Sequence, residues 1–384
     1  MASKKRIRSI LPLLCGFFAL GISACKVSTP PSPLSSPSSC VYSMPAVQTN
    51  LQVPGWGTRE FDLYLPANYN CSTGADLIVN FHGGSGKKES QELIACPNTD
   101  YQSHPNPSDP NCFYNLATQA GFIVAYPNGA PKSTLPIDAN LRSFDAGGGG
   151  AVPSSSPFFS LGLPFNCVGG LNCLGNGSTP PVDDVEYFRA LLSTIQGMAP
   201  VKNVFLTGLS DGSAMTHRVA CEASDLVKAI APVSGENQYA TSATCSPATP
   251  VSVLEIHGTG DPCWPYAGGK LQSCGTPTSG TNGVYIDVAT SITGWAQEEG
   301  CSLTPNTTNL PVVVVDANHT SVSFSSYPNC HNGASVGLYT VTNGGHTWPD
   351  GNQYLTPSLV GYVSENLNAS QVILNFFQGI SSGH

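Results

Sequence analysis

Apolar residues fall in short continuous runs along this chain. The runs are FDLYLP (61–66), LIVNFHG (77–83), FIVAYPN (122–128), NVFLTGLS (203–210), VKAIAPVSG (227–235), VSVLEIHG (251–258), PVVVVD (311–316) and SVGLYTVTNG (335–344). Each has the length of a strand. Stretches with helical spacing lie between several of them, at 112–120, 182–198, 211–223 and 289–300, with another at 366–378. Continuous apolar strands separated by amphipathic helices predict an α/β fold whose mostly parallel central sheet is covered on both faces. In such sheets ligands bind at the carboxyl ends of the strands. Two stretches break the alternation, 96–111 and 129–181. They are rich in Gly, Pro and Ser and too long for simple connections, so they are expected to fold over a rim as disulfide-pinned loops.

The first forty residues read differently. Lys4, Lys5, Arg6 and Arg8 precede a short apolar run, Ile10 to Leu20, which is too brief for a bilayer span. Ile22-Ser23-Ala24-Cys25 then resembles a bacterial lipobox, which implies a signal peptide at 1–24 and a lipid anchor on Cys25. Residues 25–39, mostly Ser, Pro and Thr after the cysteine, read as an extended tether. Residues 40–384 remain as one catalytic domain. The expected location is extracellular or periplasmic, with the membrane touched only through the anchor.

Charge and cysteine usage narrow the partners. The formal net charge is −9, and removing residues 1–24 strips four basic groups and no acidic ones. An acidic surface argues against nucleic acid. Of 14 cysteines, twelve lie beyond Cys25, an even number that suits disulfides in an oxidising compartment. Pairing between sequential neighbours, such as Cys263–Cys274 and Cys301–Cys330, is expected. No Cys-x-x-Cys or His-Glu-x-x-His occurs, so neither a metal nor another cofactor is expected. The chain is expected to act as a monomer.

Gly-x-Ser-x-Gly occurs around Ser210, Ser335 and Ser381. Only Ser210 ends an apolar run and begins a helical one. A nucleophile on such a turn needs small neighbours, which Gly208 and Gly212 supply. Ser335 opens a strand with no helix after it, and Ser381 lies in the C-terminal tail. A serine hydroxyl needs a base and an orienting carboxylate, in the chain order Ser, acid, His for this type of sheet. Asp261, just past the 251–258 run, and His346, past the 335–344 run, fit that order. Asp287 sits within a short apolar stretch. Asp316 closes PVVVV, but that run leads into TSVSFSSY and suggests a hairpin outside the parallel core. His257 lies within an apolar strand and suits a core group or one behind the site. FHGGSG (81–86) places Gly83 and Gly84 where a backbone N–H, with Gly84 preferred, could join that of Asp211 in holding an oxyanion. Trp264, Tyr266 and Trp348 flank the acid and the base and are candidates for an aromatic substrate subsite.

Together FHGG, VDDVEYFRALL, GLSDGSAM, EIHGTGDPCWPYAGG and NGGHTWPDG resemble the secreted esterase family that holds polyhydroxybutyrate depolymerases and feruloyl esterases. The resemblance covers roughly 45–380. It implies an α/β-hydrolase fold, a serine carboxylesterase, and the roles of nucleophile, acid and base for Ser210, Asp261 and His346. Implied substrates are small esters, polysaccharide-linked feruloyl-type esters, or polyhydroxyalkanoate and related polyesters. The family more often carries a second glycine where this chain has Ser213. Tannase-like esterases have cysteines beside nucleophile and base. Here Leu209, Gly345 and Thr347 stand there instead. A serine peptidase with the same triad and a non-catalytic surface-binding protein are the alternatives from other classes. No separate polymer-binding domain is expected after the catalytic one.

Overall fold

The structure, a computed structural model, describes residues 47–53, 57–97, 109–131, 142–147, 183–241, 244–270 and 284–383. The expected signal, Cys25, the tether and most of the 96–111 and 129–181 loops lie outside these residues. Ten strands form one sheet: β1 (Val47–Val53), β2 (Gly57–Tyr64), β3 (Ala75–Phe81), β4 (Ile123–Pro127), β5 (Val201–Leu209), β6 (Ala229–Val233), β7 (Ser252–Gly258), β8 (Asn306–Asn309), β9 (Ser321–Tyr327) and β10 (Val336–Thr342). Their order is β1-β2-β4-β3-β5-β6-β7-β10-β9-β8. Strands β4, β3, β5, β6, β7 and β10 run parallel, while both edges are antiparallel. This is an α/β-hydrolase sheet, with the crossover from β3 to β4 and back to β5 at its centre.

The longer helices among the described residues are α1 (Lys88–Ile94), α2 (Phe113–Gln119), α3 (Asp184–Met198), α4 (Asp211–Glu222), α5 (Val288–Glu298) and α6 (Ala369–Ser382), and a single turn, Pro357–Val360, precedes the last. Several are closed by their own sequence. Asp183 accepts from the N–H groups of Val185 and Glu186 at the start of α3, and Asn368 accepts from Gln371 at the start of α6. Gly383 ends α6 in the left-handed conformation. Strands β3, β4, β6 and β7 are buried almost end to end, because helices cover both faces. One apolar cluster contains Val185, Phe188, Leu191, Met215 and Trp295 from α3, α4 and α5. The other contains Phe113, Phe205, Ile373 and Phe377, from α2, β5 and α6.

One expected strand is not formed. PVVVVD (311–316) is irregular, with Val313 and Val315 71% and 78% exposed, and the polar Asn306–Asn309 pairs with β9 instead. The backbone N–H groups of Val313 and Val314 donate to Asn366 Oδ1, so the run bonds a distant side chain rather than a ladder. Disulfides join Cys96–Cys112, Cys221–Cys245 and Cys301–Cys330, all sequential neighbours. Cys263 is also disulfide-bonded, while Cys274 lies outside the described residues. Disulfide use of this kind belongs to an oxidising compartment. Among the described residues no helix is long and apolar enough to cross a membrane.

Candidate active site

Ser210 occupies the turn between β5 and α4 with φ 61° and ψ −119°, a conformation that a non-glycine residue holds only under constraint. The constraint is visible on three sides. Its N–H donates to Val233 O at 3.0 Å. A Cβ on Gly235 would stand 2.3 Å from Ser210 O. A Cβ on Gly212 would stand 2.3 Å from Phe81 O, and one on Gly208 would be 2.7 Å from the same atom. The elbow is therefore wedged between the ends of β3 and β6, and only glycine fits around it. Ser213, where a second glycine was the commoner pattern, fits because its hydroxyl turns inward and donates to Gly235 O at 2.7 Å.

Asp261 follows β7 and is fully determined by its loop. Its Oδ1 accepts the N–H groups of Cys263 and Trp264, both at 2.8 Å. Its Oδ2 lies 2.7 Å from His346 Nδ1. An ionised carboxylate only accepts, so Nδ1 carries the hydrogen that faces it. Burial opposes ionisation of Asp261, but the imidazole of His346, bonded to it, and that of His257, 3.4 Å away, outweigh it and hold the carboxyl at about 2. His346 is fixed through its backbone as well. Its N–H donates to Val360 O and its carbonyl accepts from the Tyr354 hydroxyl at 2.9 Å.

Ser210 and His346 line one cavity of about 260 Å³, together with Gly83, Gly84, Leu209, Ile94, Tyr354 and Leu355 among its described residues. The Gly83 carbonyl accepts from His82 Nδ1 at 2.8 Å and from the Gly86 N–H at 3.0 Å. In a planar trans peptide the next N–H points the other way. The Gly84 N–H is thus turned away from His82. His82 Nε2 in turn accepts from the Gly129 N–H, which locks the ring and its tautomer. Asp211 begins α4, where the first backbone N–H groups have no intrahelical acceptor. Its side chain is spent elsewhere, accepting the Phe144 N–H at 2.8 Å. Such a set can attack a carbonyl carbon, move one proton and hold an oxyanion.

The structure seats the three aromatic candidates away from the described cavity wall. Trp348 is fully buried, its indole N–H on Ser370 Oγ at 3.0 Å and its ring edge-on to Phe113. Trp264 packs on Tyr285 with ring centroids 4.4 Å apart. The Tyr266 hydroxyl bonds Thr340. The two indoles fill the interior, whereas Tyr266 is half-buried. The apolar wall comes from Leu209 of the elbow motif and from Ile94, Tyr354 and Leu355, which no motif marked. Of the rival acids, Asp287 caps α5 and Asp316 accepts from the hydroxyl and N–H of Thr320. His217 is sealed under Trp295, whose indole donates to it, and burial pushes its imidazole down to about 3.

No protein-family model matches the chain. Among curated proteins it is 29% identical over 203 residues to Putative esterase NocK of Nocardia uniformis subsp. tsuyamanensis, covering 52% of this chain and 58% of that protein. It is 29% identical over 174 residues to Feruloyl esterase B of Piromyces equi, covering 44% of this chain and 30% of that protein. The chain thus spans little more than half the length of the first relative and under a third of the second. Among solved structures, an acetyl xylan esterase from Aspergillus awamori aligns over 78% of this chain and 94% of its own, with a TM-score of 0.45 and 15% identity.

Proposed function

We propose that this chain is a serine carboxylesterase in which Ser210 is the nucleophile, His346 the base and Asp261 the acid. The observation that carries the reading is a strained serine elbow and a carboxylate-bonded imidazole opening onto one cavity. Esterase relatives over about half the chain support it.

Ser210 Oγ attacks the ester carbonyl while its proton passes to His346 Nε2. The carbonyl oxygen becomes an oxyanion between the N–H groups of Asp211 and Gly84, each such donor being worth about 3–4 kcal/mol of barrier. Asp261 steadies the imidazolium. The tetrahedral intermediate collapses, the C–O bond to the alcohol breaks, and His346 returns its proton to the leaving oxygen. Water then attacks the acyl-Ser210 ester with His346 again as base, releasing the acid and restoring the hydroxyl.

The cavity is small and its side walls are mostly apolar. Its volume of about 260 Å³ lies just under the usual range for small-molecule sites. It suits one aromatic or short aliphatic acyl group better than a long chain, which favours feruloyl-type or short hydroxyacyl esters, including those at polyester ends. Hydrolysis of methyl ferulate, p-nitrophenyl butyrate and a polyester emulsion, run side by side with Ser210→Ala, tests this. Turnover of at least one ester is expected, with a loss of at least about 10³-fold in the variant. A fully active Ser210→Ala protein would sink the proposal.

Export with a lipid anchor at Cys25 belongs to the same proposal. Radiolabelled palmitate should enter the wild-type chain in a bacterial host and not Cys25→Ser; equal labelling of the two would refute the anchor.

A further inference from the structure

A second imidazole reaches the carboxylate that orients His346. His257 lies on β7 and is completely buried, as are Glu236 and Glu255. Its Nε2 is 2.9 Å from Trp264 O. A carbonyl oxygen can only accept, so Nε2 carries a hydrogen. That same nitrogen is 3.4 Å from Asp261 Oδ2, the oxygen that takes the Nδ1–H of His346 at 2.7 Å. Glu236 Oε1 stands 3.6 Å from Nε2, and Glu255 Oε1 stands 4.0 Å from Nδ1. Ser291 Oγ donates to Glu255 Oε2, and the Tyr266 ring meets the imidazole edge-on at 5.8 Å.

Three carboxyl groups and an imidazole in a sealed interior are expensive, and an apolar filling of that volume would be cheaper. The group also distributes charge unevenly. Burial holds Glu236 at about 8 and Glu255 at about 7, whereas Asp261 is held at about 2. Burial opposes charge on His257, but Glu236, Asp261 and Glu255 together raise it to about 9. Of the three acids, Asp261 is the one whose ionised form the group favours, beside a ring whose protonated form is favoured.

We propose that His257 is a positioning residue, a second imidazole that faces the Oδ2 of Asp261 and thereby fixes the carboxylate, and through it the catalytic ring of His346. The inference rests on the esterase reading of Ser210, Asp261 and His346. Glu236 and Glu255 accompany His257 as its buried counter-groups, and Trp264 O steadies its N–H. His257 is not among the residues that line the described cavity, so its removal should alter turnover rather than substrate capture.

The test uses His257→Leu and His257→Gln in the full chain, with folding checked by circular dichroism. The downfield ring N–H resonance of His346 is assigned by its absence in His346→Gln and read without substrate. Kinetics use p-nitrophenyl butyrate. His257→Leu should lower kcat on the order of 10–100-fold, the loss expected when a reacting group is displaced by a fraction of an ångström to 1 Å. KM should stay within about twofold, and the resonance should broaden or vanish. His257→Gln, which keeps a donor for Trp264 O, should recover part of both. A folded His257→Leu with unchanged kcat and resonance overturns the proposal. If His257→Leu fails to fold, His257→Gln decides alone: an unaltered kcat and resonance there overturn it equally. A wild-type chain with no ester turnover would instead overturn the esterase reading. The resonance would then arbitrate, its loss in the variants supporting the role of His257 and its persistence refuting it.

Discussion

Gly212→Ala is the smallest change that should disable the elbow. The added methyl would stand 2.3 Å from Phe81 O, 2.6 Å from Phe81 C and 2.7 Å from His82 O. All three are backbone atoms, so no side chain can rotate aside. Ordinary contact begins near 3.4 Å, and reaching it requires a relative shift of about 1 Å between the start of α4 and the end of β3. Those two ends carry Ser210 and the Gly83–Gly84 peptide. A 1 Å misplacement of reacting groups costs on the order of 10²-fold in rate. Overpacking of this kind costs about 1–3 kcal/mol, and a drop of a few degrees in Tm follows at roughly 1–2 °C per kcal/mol for a chain of this length. Gly197→Ala is the matched control, since a Cβ there meets nothing within 4 Å. On α3 it should leave the rate alone and leave Tm equal or slightly higher, because alanine favours helix. Initial rates on p-nitrophenyl butyrate and thermal melts of the two variants give the answer. A Gly212→Ala protein with kcat/KM within threefold of wild type and the same Tm would show that the elbow is not held as described.

Two further outcomes are expected. Asp261→Asn keeps an acceptor beside the Cys263 and Trp264 N–H groups but presents the wrong partner to His346 Nδ1, so kcat should fall by about 10⁴-fold, measured as burst-free initial rates. Stability should fall as pH rises from 5 to 9. Glu236 and Glu255, ordinarily near 4.5, are held at about 8 and 7, so between those limits the native state binds more protons than the unfolded chain. His257, raised from 6.5 to about 9, contributes fully below 6.5 and loses its contribution as pH climbs through 9, which acts in the same direction. Melts of wild type and Glu236→Gln across that range should diverge, with the variant flatter; parallel curves would contradict the burial of that acid.

The sheet and the elbow were legible because their signals are local. A buried parallel strand must be apolar along its whole length, and a strand-to-helix serine must have glycine neighbours, so β3 to β7 and Ser210 stand out from short windows. The pairing of Asp261 with His346 was legible through chain order. The failures depend on distant partners. PVVVV has every local mark of a strand, but Asn366 takes its N–H groups from over fifty residues away. Trp264 and Trp348 lie near Asp261 and His346 in sequence, yet a loop's rings can turn to either side and both pack inside, while Tyr266 is half-buried against His257. Ile94 and Leu355 enter the cavity wall through the folding of α1 and the 350s loop, for which composition gives no sign.

The segment from Gly345 to Tyr362 delivers His346, the proposed base, and also two of the hydrophobic surfaces that would greet an acyl group, Tyr354 and Leu355. A single phenol joins these duties, since the ring of Tyr354 lines the chamber while its oxygen grips the main chain at His346. Selection for a bulkier ester by trimming that ring would therefore loosen the base at the same stroke. Variants of altered range should be easier to reach through Ile94, at the end of α1, than through the segment that does both jobs.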